Sequence, residues 1–81
     1  MTMAFDQAAD RVLDVILEHG GTFDIGDPGE VLGNLATEAE VPYKELSLVV
    51  LRLERMEWVH VERLDTPEAR RANRIISISV L

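Results

Sequence analysis

"LATEAEVPYKELSLVVLRLERMEWVHVER" spans residues 35–63, and the fold turns on where its hydrophobic period changes. Leu46, Val49, Val50, Leu53 and Met56 recur every three or four positions, the spacing of one buried helical stripe. From Trp58 the period is two: Val59 and Val61 share one face, and Trp58, His60 and Glu62 the other. A helix over about 42–56 therefore runs directly into a strand over about 58–63. The side of that helix outside the stripe carries Lys44, Ser47, Leu48, Leu51, Arg52 and Arg55. Two leucines there exceed what a core requires, and so this face is the first place to look for function.

Working toward the N-terminus, Glu40-Val41-Pro42 separates this helix from a preceding one over about 28–39, whose apolar residues are Val31, Leu32, Leu35, Ala36 and Ala39. Asp27, Pro28 and Glu30 have the order of a capping box with proline at the first helical position. Gly33 inside that helix suggests a neighbouring backbone in close approach. Thr22–Ile25 is read as a short extended link. Residues 6–18 form the first helix, with Asp6 as its cap, a stripe of Ala9, Val12, Leu13, Ile16 and Leu17, and Gly20-Gly21 to end it. Toward the C-terminus, "IISISVL" alternates Ile76, Ile78 and Val80 with serines, and it pairs antiparallel with 58–63 across the polar tip "LDTPEARRAN". Leu13, Ile16, Leu35, Leu46, Val50, Leu53, Val59 and Ile78 are expected to meet in one core.

The order of helix, link, helix, tight turn, helix and hairpin resembles that of bacterial winged-helix regulators. Leu35-Ala36 in the second helix, Val41-Pro42 at the turn, Leu53-Glu54 closing the third helix and Trp58-Val59 opening the strand match that pattern. Glu57 stands where a glycine is common, and Leu48 where a polar or basic residue is common. The resemblance implies an α+β fold, a winged helix-turn-helix of three helices followed by an antiparallel β-hairpin wing, as one domain over 1–81. It implies a sequence-specific regulator of transcription that occupies an operator on double-stranded DNA, with the third helix in the major groove and the wing on the backbone or minor groove.

Composition sets limits on that expectation. A chain of 81 residues with 47% hydrophobic and 28% charged residues is globular in character, and at this size it buries roughly 60% of its unfolded surface. There is no cysteine, hence no thiolate or disulfide chemistry. The start lacks a secretory pattern and the apolar runs fall far short of the ~20 residues that span a bilayer, so a cytoplasmic protein with no membrane partner is expected. The net charge of −7 opposes long-range attraction to a polyanion. It is unevenly spread, however: residues 1–41 hold nine acids and only Arg11, whereas 42–81 hold six acids and seven bases.

The expected DNA contacts are Tyr43, Lys44, Ser47, Arg52 and Arg55 on the third helix and Arg70, Arg71 and Arg74 in the wing, with Arg63 and Asn73 beside them. Guanidinium groups at a hairpin tip reach phosphates without disturbing a core. The alternative is a winged helix that binds protein through Leu48 and Leu51, an apolar patch in a charged surround. The acidic face of Asp10, Asp14 and Glu18, with Glu38 and Glu40 beyond, is a candidate for a basic partner or simply a solvated surface. Trp58 is expected to cover the junction of helix and sheet. A homodimer is expected, formed most readily through the apolar strand edge near "IISISVL". Catalysis is not expected: no serine, histidine and carboxylate form a readable triad, and no glycine-rich loop is built for phosphate. No cofactor or metal is expected either, since Asp24, Asp27 and Glu30 do not follow a calcium-loop pattern.

Overall fold

Three helices and three strands follow one another in the computed structural model, which describes residues 4–64 and 74–81. They are α1 (Phe5–Glu18), β1 (Thr22–Phe23), α2 (Val31–Ala39), α3 (Tyr43–Arg55), β2 (Val59–Arg63) and β3 (Ile75–Val80). The sheet is antiparallel with strand order β1-β3-β2. Three helices followed by the β2–β3 hairpin give the winged-helix architecture expected from the sequence. Among the described residues no helix is long and apolar enough to cross a membrane.

Each helix ends in the same way. Gly20, Glu40 and Glu57 all take positive φ. At each end the next amide reaches back to a carbonyl of the last turn: Gly21 to Ile16 O, Val41 to Ala36 O and Trp58 to Leu53 O, all at 3.0 Å. This is the Schellman arrangement, which satisfies carbonyls that the helix itself leaves open. Glycine adopts the left-handed conformation freely, whereas a glutamate does so against a steric cost.

The core is one cluster in which Ile16, Phe23, Leu35, Leu46, Leu53 and Ile78 are the largest fully buried side chains. Of the eight expected core residues, seven are buried and Leu13 is partly buried against them. Several expectations are corrected. Thr22–Phe23 is a strand, paired to Ser79 and Ile78, and Phe23 is completely buried. It therefore makes β3 the central strand, so the "IISISVL" edge expected to pair in a dimer is already flanked by β1 and β2. The α1 stripe is rotated: Ala8 and Val15 are buried and Leu17 faces outward. Met56 is likewise exposed. In β3 the register slips beside Arg63, which pairs with Ile75 while Glu62 pairs with Ser77; Ile76 is the extra residue of a bulge. Ile75 and Ile78, rather than Ile76, are consequently the buried pair.

The capping box does not form. Residues 28–30 make a turn closed by the Glu30 amide on Asp27 O at 2.7 Å, and α2 starts at Val31 without a side-chain cap. The segment is held instead by Asn34, whose Nδ2 donates to Ile25 O at 2.8 Å. Gly26, at φ 99°, passes beneath that amide, and a Cβ there would collide with it. Gly33, by contrast, has open space rather than a close neighbour. Asp6 lies inside the first turn of α1 and does not cap it.

Candidate interface on the third helix

The sequence of α3 suits both ends of a helix dipole, with Glu45 in its first turn and Arg52 and Arg55 in its last. Leu46, Val49, Val50 and Leu53 seat it on the core. Opposite them, Lys44, Leu48, Leu51 and Arg55 stand at spacings of four, three and four, which aligns them along one ridge. Leu48 is 64% exposed and Leu51 37%. The exposed positions of α3 are Tyr43, Lys44, Leu48, Leu51, Arg52 and Arg55: three bases and no carboxylate.

Both acids of α3, Glu45 and Glu54, are partly buried. Glu54 is held from the neighbouring strand by Arg63 in a two-pronged bond, Nη1 to Oε2 at 2.7 Å and Nη2 to Oε1 at 2.9 Å. The donated hydrogen bonds lower the Glu54 pKa below its ordinary value despite some desolvation, and the same bond raises that of Arg63. The pair fastens the wing to α3 and removes one carboxylate from the field of the ridge.

Two depressions flank the leucines. One, of about 340 Å³, lies between Phe5, Glu45, Leu48, Val49 and Arg52. The other, of about 170 Å³, lies toward the wing between Leu32, Leu48, Val50 and Ile75. The Arg52 guanidinium stacks over the Phe5 ring, 4.2 Å from its centroid, which fixes its direction along the helix flank. Ser47 Oγ donates to Lys44 O at 3.0 Å and so is turned toward its own helix.

Of the residues expected to contact DNA, Tyr43, Lys44, Arg52 and Arg55 are exposed on α3, and Ser47 is half-buried beside the smaller depression. Arg74 is exposed where the wing begins, and its carbonyl accepts the Leu64 amide at 3.1 Å. Arg70, Arg71 and Asn73 lie outside the described residues. Sequence reasoning missed the Phe5–Arg52 stack and the Glu54–Arg63 bond, because both join residues that only the packed fold brings together. Trp58, expected to cover the junction, is half exposed. Compared with known protein families, curated proteins and solved structures, the chain matches none. The resemblance therefore rests on a generic helix-turn-helix-like fold.

Proposed function

We propose that this chain is a small DNA-binding regulator that acts by occupying a duplex site, with α3 in the major groove and the wing against the backbone. The observation that carries this reading is the separation of charge on a winged-helix scaffold. Every exposed charged residue of α3 is basic, while Glu45 is partly buried and Glu54 is paired with Arg63. Lys44 and Arg55 stand near opposite ends of the ridge, positions from which long side chains reach phosphates on either side of a groove about 12 Å wide. Arg74, with Arg70 and Arg71 beyond it in sequence, extends the basic character into the wing. On this reading the protein acts as a homodimer and is not an enzyme.

Leu48 supports a second reading. A leucine 64% exposed at the centre of the ridge, with a depression on each side, has the composition of a protein contact. In the DNA reading the same side chains meet thymine methyls. The two separate in one assay, fluorescence anisotropy of a labelled random duplex at low and rising salt. DNA binding by this face requires affinity that falls with salt and is weakened in Lys44→Ala/Arg55→Ala. Absence of binding at the lowest salt, together with a protein partner that no longer binds Leu48→Ala, assigns the ridge to protein.

A further inference from the structure

A second apolar surface lies away from the α3 ridge, where the end of the sheet meets α1. Leu13, Trp58, Val80 and Leu81 line a depression of about 350 Å³, with Glu57 at its rim. Trp58 is 50% exposed and Leu81 74%. Their exposure does not come from loose chain: the Trp58 amide is bonded to Leu53 O and its carbonyl accepts the Leu81 amide, both at 3.0 Å. An aromatic ring held on a fixed backbone at low entropic cost is the common anchor of a protein interface.

On α1, 100° per residue places Leu17, 57% exposed, next to Leu13, with Asp10 and then Asp14 beyond it on the way to Glu18. Past that edge is a second depression, lined by Asp14, Glu18, Glu38 and Glu40 against a single base, Arg11. Two of these acids already have partners: His19 Nε2 lies 3.0 Å from Glu38 Oε1, and Arg11 Nη1 lies 3.8 Å from Glu40 Oε2. Asp14 and Glu18 carry the remaining negative charge at the boundary with Leu17. Asp6, Asp10, Asp14 and Glu18 stand four apart in sequence, and the last of them sits at the helix C-terminus. Like charges at that spacing, and an acid at that end, both weaken a helix. The arrangement is not one that serves α1 itself.

We infer that this apolar surface and its acidic flank form a docking site for a basic amphipathic helix of another protein. The apolar stripe of the incoming helix packs on Leu13, Leu17, Trp58 and Leu81, and its lysines or arginines face Asp10, Asp14 and Glu18. A second copy set α1 against α1 is disfavoured as occupant, because it would bring acids against acids, and one that docked its own α3 ridge would require Leu48 and Leu51. The site lies apart from the α3 ridge and does not rest on the DNA reading.

Trp58 is the only tryptophan in the chain, so its emission reports on the site without a label. The probe is a helical peptide of about 18 residues, long enough to hold a helix, with leucine along one stripe and lysine elsewhere. Its counterpart has glutamate for lysine. The lysine peptide is expected to shift Trp58 emission to the blue, with affinity that falls as salt rises. Leu17→Ala/Leu81→Ala, two exposed positions that leave the core intact, is expected to weaken it about tenfold or more. Asp14→Asn/Glu18→Gln should flatten the salt dependence, and Leu48→Ala/Leu51→Ala should change nothing. The inference is overturned if the glutamate peptide binds equally well, if removal of the Leu17 and Leu81 side chains leaves affinity unchanged, or if the leucines of α3 are required. It is also overturned if emission shifts to the blue with protein concentration alone, which would make a second copy the occupant.

Discussion

The outer faces of α1 and α3 are built on the same plan and charged in opposite ways. Each helix buries one apolar stripe and exposes leucine on the other side: Leu17 on α1, Leu48 and Leu51 on α3. Around Leu17 the charges are Asp10, Asp14 and Glu18; around Leu48 and Leu51 they are Lys44, Arg52 and Arg55, with one partly buried acid, Glu45. On α3 the charge order also suits the helix dipole, whereas on α1 it ends in an acid with no base in the last turn. A net charge of −7 is therefore a poor guide to what this molecule attracts. The two helix faces present fields of opposite sign, and the short-range field is what a docked partner would meet.

The largest effect should come from removing the floor on which both faces stand. Phe23 is completely buried between α1 and the sheet, with its ring edge-on to His19 at 4.9 Å between centroids. Phe23→Ala is expected to cost about 3–5 kcal/mol, and Leu53→Ala beneath α3 about 2–5 kcal/mol, both measured by urea unfolding. In so small a domain either change is a large share of the total, so both faces should disappear together. A Phe23 variant that unfolds like the parent would remove β1 from the fold's supports.

Much of this plan was legible in the sequence, and the failures have a common cause. The switch from a period of 3.6 to 2 at Trp58 located α3 and β2, and both elements formed within a residue of the expected bounds. Phe23 was missed because a two-residue strand has no period to detect; only its pairing with Ile78 and Ser79 defines it. Ile75 displaced Ile76 from the core through a bulge, which alternation alone does not reveal. Asp27 and Glu30 had the order of a capping box, but the Asn34 tether to Ile25 holds the turn in another conformation. On the candidate interface, exposure of Leu48 and Leu51 followed directly from the helical stripe. The engagement of Arg52 by Phe5 and of Glu54 by Arg63 did not, since both depend on tertiary packing.

The next prediction sharpens the contrast in charge. Lys44→Ala/Arg55→Ala should weaken binding to all duplexes by similar factors. It should also flatten the plot of log affinity against log salt by about 0.9 for each phosphate the protein no longer neutralises. Arg70→Ala/Arg71→Ala should do the same from the wing. Leu48→Ala or Leu51→Ala should instead alter discrimination between duplex sequences, because on the DNA reading these side chains meet thymine methyls. Equal behaviour of all four variants would erase the distinction between positioning and reading residues.

A smaller effect is expected at the bond that shields the ridge from its own carboxylate. Because the Glu54 pKa is lowered in the folded state, its contribution is fully present above the unfolded carboxylate value of about 4.3 and is lost as pH falls through the folded value. Glu54→Gln should therefore melt below the parent at neutral pH, by about 1 kcal/mol for a partly exposed pair, and the two should converge in acid. A gap that persists undiminished in acid would mean that the ion pair is not its source.

The smallest change should be a gain. Glu57 ends α3 in the left-handed conformation at φ 61° and borders the Trp58 depression. Glu57→Gly is expected to raise stability by about 0.5–1 kcal/mol and to weaken the lysine peptide slightly by removing one acid from its site. A lower melting temperature would show that the Glu57 side chain does more for the fold than its strain costs.

The central claim, that the α3 face meets nucleic acid despite the acidic whole, is tested most directly by titrating the unmodified protein against random duplex DNA over a series of salt concentrations. Lys44, Arg55 and Arg74 alone predict binding at low salt whose log affinity falls against log salt with a slope of about −2.7, at 0.9 per phosphate. No measurable binding at the lowest salt, or an affinity indifferent to salt, would contradict it.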